Sequence, residues 1–239
     1  MQRRRRSSLH AFWHGIGGQL RKPSGLFGPM AGRVMAFVNA RPNALAVAAL
    51  GLREGDSLLE LGCGPGRALQ TLLRLPHLAR AIGLDWSDIM LAQASRRNRP
   101  ALEAGRLALV CGDFARLPFT DVSADAILAV NVVYFMGSSV ALRDARRVLR
   151  PGGRIVLYAT HGSVMQRWRF AGPDTHQLFN QKTLTALLID AGFAADCIRI
   201  EAVNAGFGVE GLLAVARKEK ALLVADAAFT AAAPQGVIR

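Results

Sequence analysis

The run Leu59-Glu-Leu-Gly-Cys-Gly-Pro-Gly66 constrains this chain more than any other stretch. The short apolar segment Ser57 to Leu61 stops at three alternating glycines, and Leu69, Leu72, Leu73 and Leu75 then follow at helical spacing. This predicts a strand, a tight loop and a helix. Gly62, Gly64 and Gly66 permit backbone conformations, and a closeness of approach to a ligand, that a Cβ would obstruct. Open α/β sheets bind ligands at the carboxyl ends of their strands, where this loop falls.

Similar units recur downstream. Ala81-Ile-Gly-Leu84 precedes a helical pattern through Met90 and Ala94, and Leu107-Ala-Leu-Val110 reads as a third strand. Ala126-Ile-Leu-Ala-Val130 precedes a helix through Leu142 and Val148, which stops before Pro151 so that Gly152 and Gly153 turn the chain into a fifth strand, Ile155-Val-Leu-Tyr158. Such alternation predicts an α/β domain with a parallel sheet covered on both faces. The last third changes character: a helix from Thr183 to Asp190 ends at Gly192, and runs from Cys197 to Val203 and Gly211 to Ala216 suit an antiparallel pair.

The 239 residues suffice for one such domain, read as residues 42–217, with extensions at both ends. No apolar run approaches the roughly 20 residues that span a bilayer, which argues against an integral membrane protein. The net charge of +13 is concentrated early, because Glu54 is the first acidic residue and Arg3 to Arg6, Arg21, Lys22, Arg33, Arg41 and Arg53 precede it. Residues 1–41 therefore read as a basic extension, with Phe27, Met30, Val34, Phe37 and Val38 placed for an amphipathic helix. That extension suits an anionic membrane surface or, second, nucleic-acid phosphates, and its ordinary alternative is a solvated basic tail with no specific partner. It lacks the apolar core of a secretory signal, although an arginine-rich, acid-free start is shared with mitochondrial presequences. The expected location is the cytoplasm, peripheral at a membrane. Cys63, Cys111 and Cys197 lack metal-site or disulfide spacing and read as buried thiols, with no metal expected. Residues 218–239 read as a weakly ordered tail.

The chemistry sits at the predicted strand ends. Arg67 falls directly after Gly66, so the loop spacing is GxGxG and not the dinucleotide GxGxxG. Glu60 beside the loop would attract an ammonium and repel a pyrophosphate; an exposed strand-end glutamate is its ordinary alternative. Asp85 can accept hydrogen bonds from both ribose hydroxyls, and Trp86 can lie against an adenine face. Asp113 can accept from an adenine amino group while Phe114 packs beside the ring.

Five motifs in order, Leu59 to Arg67, Gly83-Leu-Asp-Trp-Ser87 with Met90-Leu91, Gly112-Asp-Phe-Ala-Arg-Leu-Pro-Phe119, Ala124-Asp-Ala-Ile-Leu128 and Leu149-Arg-Pro-Gly-Gly-Arg-Ile155, resemble the class I S-adenosylmethionine-dependent methyltransferases. The likeness is to the small-molecule branch that holds quinone C-methyltransferases and phospholipid N-methyltransferases. It implies a doubly wound, Rossmann-like, seven-stranded sheet of order 3-2-1-4-5-7-6 with strand 7 antiparallel. It also assigns Glu60, Gly62, Gly64 and Gly66 to the methionine end of S-adenosylmethionine, Asp85 to the ribose, Asp113 and Phe114 to adenine, and Asn131 to the methionine end or acceptor side. Tyr134 is a candidate for the acceptor pocket. His161, just after the fifth strand, is a candidate to orient or deprotonate the acceptor, whereas His176 reads as a cap or a solvent-facing group. Asn131-Val-Val-Tyr134 lacks both prolines of the Asn-Pro-Pro-Tyr motif of enzymes that methylate exocyclic amines. The expected function is methyl transfer to a lipid, quinone-like or other partly apolar small molecule. The alternatives are an RNA methyltransferase using the basic arm and a non-catalytic S-adenosylmethionine-binding protein.

Overall fold

The computed structural model describes residues 39–114, 116–168, 176–206 and 208–220. In chain order the elements are α1 (Ala40–Leu50), β1 (Asp56–Leu61), α2 (Arg67–Leu72), β2 (Leu78–Asp85), α3 (Asp88–Arg97), α4 (Arg99–Glu103), β3 (Leu107–Cys111), β4 (Ala124–Val130), α5 (Val140–Val148), β5 (Leu149–Thr160), α6 (Gly162–Met165), α7 (Gln181–Asp190), β6 (Ile198–Asn204) and β7 (Glu210–Arg217). The strands form one sheet of order β3-β2-β1-β4-β5-β7-β6. Strands β3 to β5 run parallel through β2, β1 and β4, and β7 lies antiparallel between β5 and β6. This is the sheet order and direction that the resemblance implied.

Side-chain alternation along the strands produces the two covered faces. Leu58 points with Leu128 and Val156 toward Ala46 and Leu50 of α1 and Leu69 and Leu72 of α2. Leu59 and Leu61 point the other way, with Ile127 and Leu157, toward Leu142 of α5 and Leu184 and Leu188 of α7. All six residues of β1 are buried, as befits the centre of a doubly covered parallel sheet.

The amino ends of β1 and β5 are tied by an internal cation. Arg154, 3% exposed, donates from Nη2 to Asp56 Oδ2 at 2.8 Å and to the Gly51 carbonyl at 2.8 Å, and from Nε to the Leu50 carbonyl. One guanidinium thus holds the end of α1, the start of β1 and β5 together. Beside it the sequence expectation needs correction, because β5 starts at Leu149 and not after the glycines. Leu149 already pairs with Ala124, and the register then jumps so that Arg154 faces Ala126. The intervening Pro-Gly-Gly segment bulges out, with Gly152 at φ +78°.

Helix α1 was not expected from the sequence, and the amphipathic helix read over Phe27 to Val38 lies outside the described residues. The domain also reaches past Arg217. Lys218 Nζ caps α5 by donating to the Arg146 and Leu149 carbonyls at 2.9 and 2.7 Å, and Glu219 pairs with Arg146 at 2.7 Å. Residues 221–239, the rest of the proposed tail, lie outside the described residues. Of the three cysteines only Cys63 is buried; Cys111 is exposed and Cys197 is half-buried, which corrects the expectation of three internal thiols.

Candidate active site

The strand order reverses between β1 and β4, and the loops leaving their carboxyl ends diverge there. A pocket opens at this point. Its walls include Glu60, Gly62, Cys63, Gly64 and Arg67 from the glycine loop, Asp85 and Trp86 after β2, Phe114 after β3, and Asn131 after β4. Seven of the eleven residues expected at the cofactor or acceptor therefore converge: Glu60, Gly62, Gly64, Asp85, Trp86, Phe114 and Asn131.

The loop is fastened to β2 by its own backbone. Gly62 and Cys63 N–H both donate to the Leu84 carbonyl, at 2.8 and 3.0 Å. Asp85 Oδ2 accepts from Gly64 N–H at 2.9 Å, and its Oδ1 accepts from Ser87 N–H at 2.9 Å. Asp85 therefore shapes the glycine loop as well as facing the pocket. Burial raises its pKa, against the opposing pull of those N–H groups. At Gly64, φ is +50° and a built Cβ would meet nothing within 4 Å, so that the missing side chain leaves open pocket. Gly66 serves packing instead. Its Cβ would strike Asn98 Nδ2 at 2.6 Å and Ala94 Cβ at 2.9 Å, so it lets α3 pack on the loop and is not on the pocket wall.

Glu60 is the electrostatic centre of the pocket. It is 3% exposed, and its Oε2 is buried with no hydrogen-bond partner. The ordinary alternative of an exposed strand-end glutamate is excluded. Burial first, and the charge of Asp85 second, push its carboxyl well above the usual value, while the Leu69 N–H pulls the other way. A buried acid left half unpaired is costly unless a donor or a cation arrives.

Asn131, just after β4, is a hub on the pocket wall. It adopts φ +56°, a left-handed conformation that asparagine tolerates better than most residues. Its Oδ1 accepts from Tyr134 OH at 2.7 Å and from Thr160 Oγ1 at 3.3 Å, which turns its Nδ2 toward Asn39 Oδ1 at 2.8 Å. Tyr134 thus stands behind Asn131 and not on the pocket wall. Its hydroxyl is held by Asn131 and the Thr160 N–H, and burial raises its pKa.

Trp86 and Phe114 lie with ring centroids 6.4 Å apart and planes tilted 31°, two apolar plates on the pocket wall. Asp113 follows β3 but is not among the lining residues. His161 also lies off the wall: its ring accepts from Ser163 N–H at 3.3 Å and meets Ser163 Oγ at 2.8 Å, capping the short α6. His176, by contrast, is buried against Phe135 and Tyr134, with ring centroids 4.9 and 5.9 Å away. It is neither solvent-facing nor remote, since Phe135 lines the pocket. The sequence reading also missed Asn39, Asn43, Met90 and Phe135 as wall residues. Gly51 at φ +52°, ending α1, is the signal that would have revealed the helix carrying Asn43.

The residues present fit an S-adenosyl amino acid. Glu60 offers an unpaired carboxyl to an ammonium, Gly64 leaves room beside it, Asp85 faces the same space, and Trp86 and Phe114 supply aromatic faces. A pocket at the switch point of an open α/β sheet is where such folds bind their ligands. Residues 59–157 match the family model for the methyltransferase domain. It is 28% identical to an uncharacterized methyltransferase, YdaC, of Bacillus subtilis, over 65% of this chain and 81% of that one. It is 38% identical to the ubiquinone/menaquinone biosynthesis C-methyltransferase of Paracoccus denitrificans, over 44% of this chain and 42% of the relative. The matches span less than half the length of several curated relatives. In fold it is similar to an S-adenosylmethionine-dependent methyltransferase from Mesorhizobium loti, with a TM-score of 0.61 and 19% identity, covering 73% of this chain and 96% of that one. Among the described residues no group of three or more His, Cys, Asp or Glu is placed to hold a metal.

Proposed function

We propose that the protein transfers the methyl group of S-adenosylmethionine to a small, partly apolar acceptor of lipid or quinone-like character. The observation that carries this reading is the unpartnered, buried Glu60 carboxyl facing a pocket bounded by the glycine loop, Asp85 and two aromatic rings. Likeness to a quinone C-methyltransferase and the apolar side chains of Val130, Val132 and Phe135 on the Asn131 wall support the choice of acceptor. The sulfonium of the bound cofactor supplies an already activated methyl group. The residues of this chain then have to orient a nucleophile and keep water out. Asn131, locked by Tyr134 and Thr160, presents a fixed amide to the pocket, and Phe135, backed by His176, gives an apolar wall. His161, turned onto Ser163, would have to leave its cap to handle a proton. The basic segment ahead of Glu54 supports delivery of such an acceptor from an anionic membrane surface on the cytoplasmic side. No helix among the described residues is long and apolar enough to cross a membrane.

Incubating the purified protein with S-adenosylmethionine labelled on its methyl group and an organic extract of cells tests the reading. Label is expected in an extractable small molecule, and S-adenosylhomocysteine accumulates. Label confined to RNA would favour the nucleic-acid alternative, and cofactor binding without transfer would favour a non-catalytic one.

Glu60→Gln separates stability from binding. Because the folded Glu60 holds its proton above its ordinary value of 4.5, the native state binds a proton that the unfolded chain has already lost. Stability therefore falls as pH rises from 4.5 upward. The amide removes that penalty: the unfolding midpoint of the ligand-free variant is expected to exceed wild type at neutral pH, with the gain shrinking as pH drops toward 4.5. S-adenosylhomocysteine affinity falls about tenfold or more, the scale of one charge-assisted hydrogen bond. Thermal melts across pH and calorimetry read the two effects.

A further inference from the structure

Arg67 opens α2 directly after the glycine loop, is exposed, and lines the same pocket as Glu60 and Gly64. Among the described residues it forms no ion pair and no side-chain hydrogen bond. Arg97, from the last turn of α3, donates to the Pro65 carbonyl of the same loop and also lacks a carboxylate partner among the described residues. Burial, and then the nearby charge of Arg67, lower its pKa. The segment preceding Glu54 contains no acid that could neutralise the pair. One rim of the pocket therefore has surplus positive charge, while its floor holds a buried carboxyl with an unpartnered oxygen.

A ligand with only a cationic group would satisfy Glu60 and leave the rim unpaired; a simple anion would do the reverse and face the floor carboxyl. A zwitterionic α-amino acid head satisfies both, because its ammonium and carboxylate branch from one carbon. We propose that Arg67 binds the carboxylate of the amino-acid end of S-adenosylmethionine, and that Glu60 and Arg67 together make the pocket selective for the intact zwitterion. This rests on the methyltransferase reading and adds a residue that sets ligand specificity. Arg97 keeps the loop carbonyl of Pro65 in place and adds positive potential behind Arg67. A guanidinium suits this role, since it can present two parallel N–H groups to a carboxylate.

Decarboxylated S-adenosylmethionine lacks only this carboxylate and is the discriminating probe. Calorimetry on the full chain should show wild type binding S-adenosylmethionine about tenfold more tightly than the decarboxylated form, as one charge-assisted hydrogen-bonded contact would give. Arg67→Ala should weaken S-adenosylmethionine to the level of the decarboxylated form and leave the latter unchanged. Arg67→Lys should restore part of the difference. Because Arg67 is exposed, the variants are expected to melt like wild type. If Arg67→Ala weakens both ligands equally, or neither, the proposal is overturned while the methyltransferase reading stands. If wild type binds neither form nor S-adenosylhomocysteine, the methyltransferase reading itself fails and takes the proposal with it.

Discussion

Gly64→Val is expected to raise the dissociation constant for S-adenosylhomocysteine by at least about a hundredfold, because the branched side chain and the ligand cannot share one volume. The Cβ direction at Gly64 leads into open pocket, and the residue's N–H is already committed to Asp85. A valine there also incurs about 1 to 2 kcal/mol of backbone strain from the left-handed conformation. Gly55→Val isolates that second effect. Gly55 has φ +80° and open space around it, but it lies in the turn before β1, at the far end of the strand from the pocket. Both variants should lose similar stability in thermal melts, and only Gly64→Val should lose binding. Equal affinity for wild type and Gly64→Val would show that the ligand does not approach the loop.

The second large effect concerns the fold alone. Arg154→Ala should cost about 3 to 5 kcal/mol, because it leaves Asp56 buried without its cation and frees the carbonyls of Leu50 and Gly51. Against a total stability of about 5 to 15 kcal/mol for ordinary domains, this is a large fraction. Urea titration should show the midpoint moving down with little change in slope. Cofactor affinity of the folded fraction should be retained, since Arg154 sits at the amino end of the sheet and the pocket at its carboxyl end. A loss below about 1 kcal/mol would place the pair with exposed ion pairs, against its burial.

The contrast between these sites explains what could be read from the sequence. The sheet was legible because β1, β2, β4 and β5 each contain a short, largely apolar run, and helical patterns separate these runs. The glycine loop was legible because three glycines at fixed spacing suit few other uses. Glu60, Asp85 and Phe114 were then placed by counting along the strand ends. What counting could not supply was side-chain direction. Asp113 and Phe114 are neighbours, yet only Phe114 reaches the pocket wall. By position in the chain His161 read as an acceptor-side group and His176 as a cap or solvent-facing one, yet the fold turns the first onto Ser163 and buries the second beside Phe135. The bond from Asn131 to Asn39 spans 92 residues, and no local pattern encodes it. Helix α1 was missed for a compositional reason: its alanines give little contrast between the face carrying Ala46 and Leu50 and the face exposed to water. The start of β5 was misplaced because a bulge at Gly152 keeps Leu149 paired on the near side of the Pro-Gly-Gly segment.

The most direct test of the central claim is calorimetry of the wild-type protein with S-adenosylmethionine, S-adenosylhomocysteine and NAD in parallel. The pocket, with an unpaired carboxyl where a dinucleotide would bring a pyrophosphate, predicts saturable one-to-one binding of both S-adenosyl compounds and none of NAD. Binding of NAD, or no binding of either S-adenosyl compound, would contradict the assignment of the pocket built around Glu60 and Gly64.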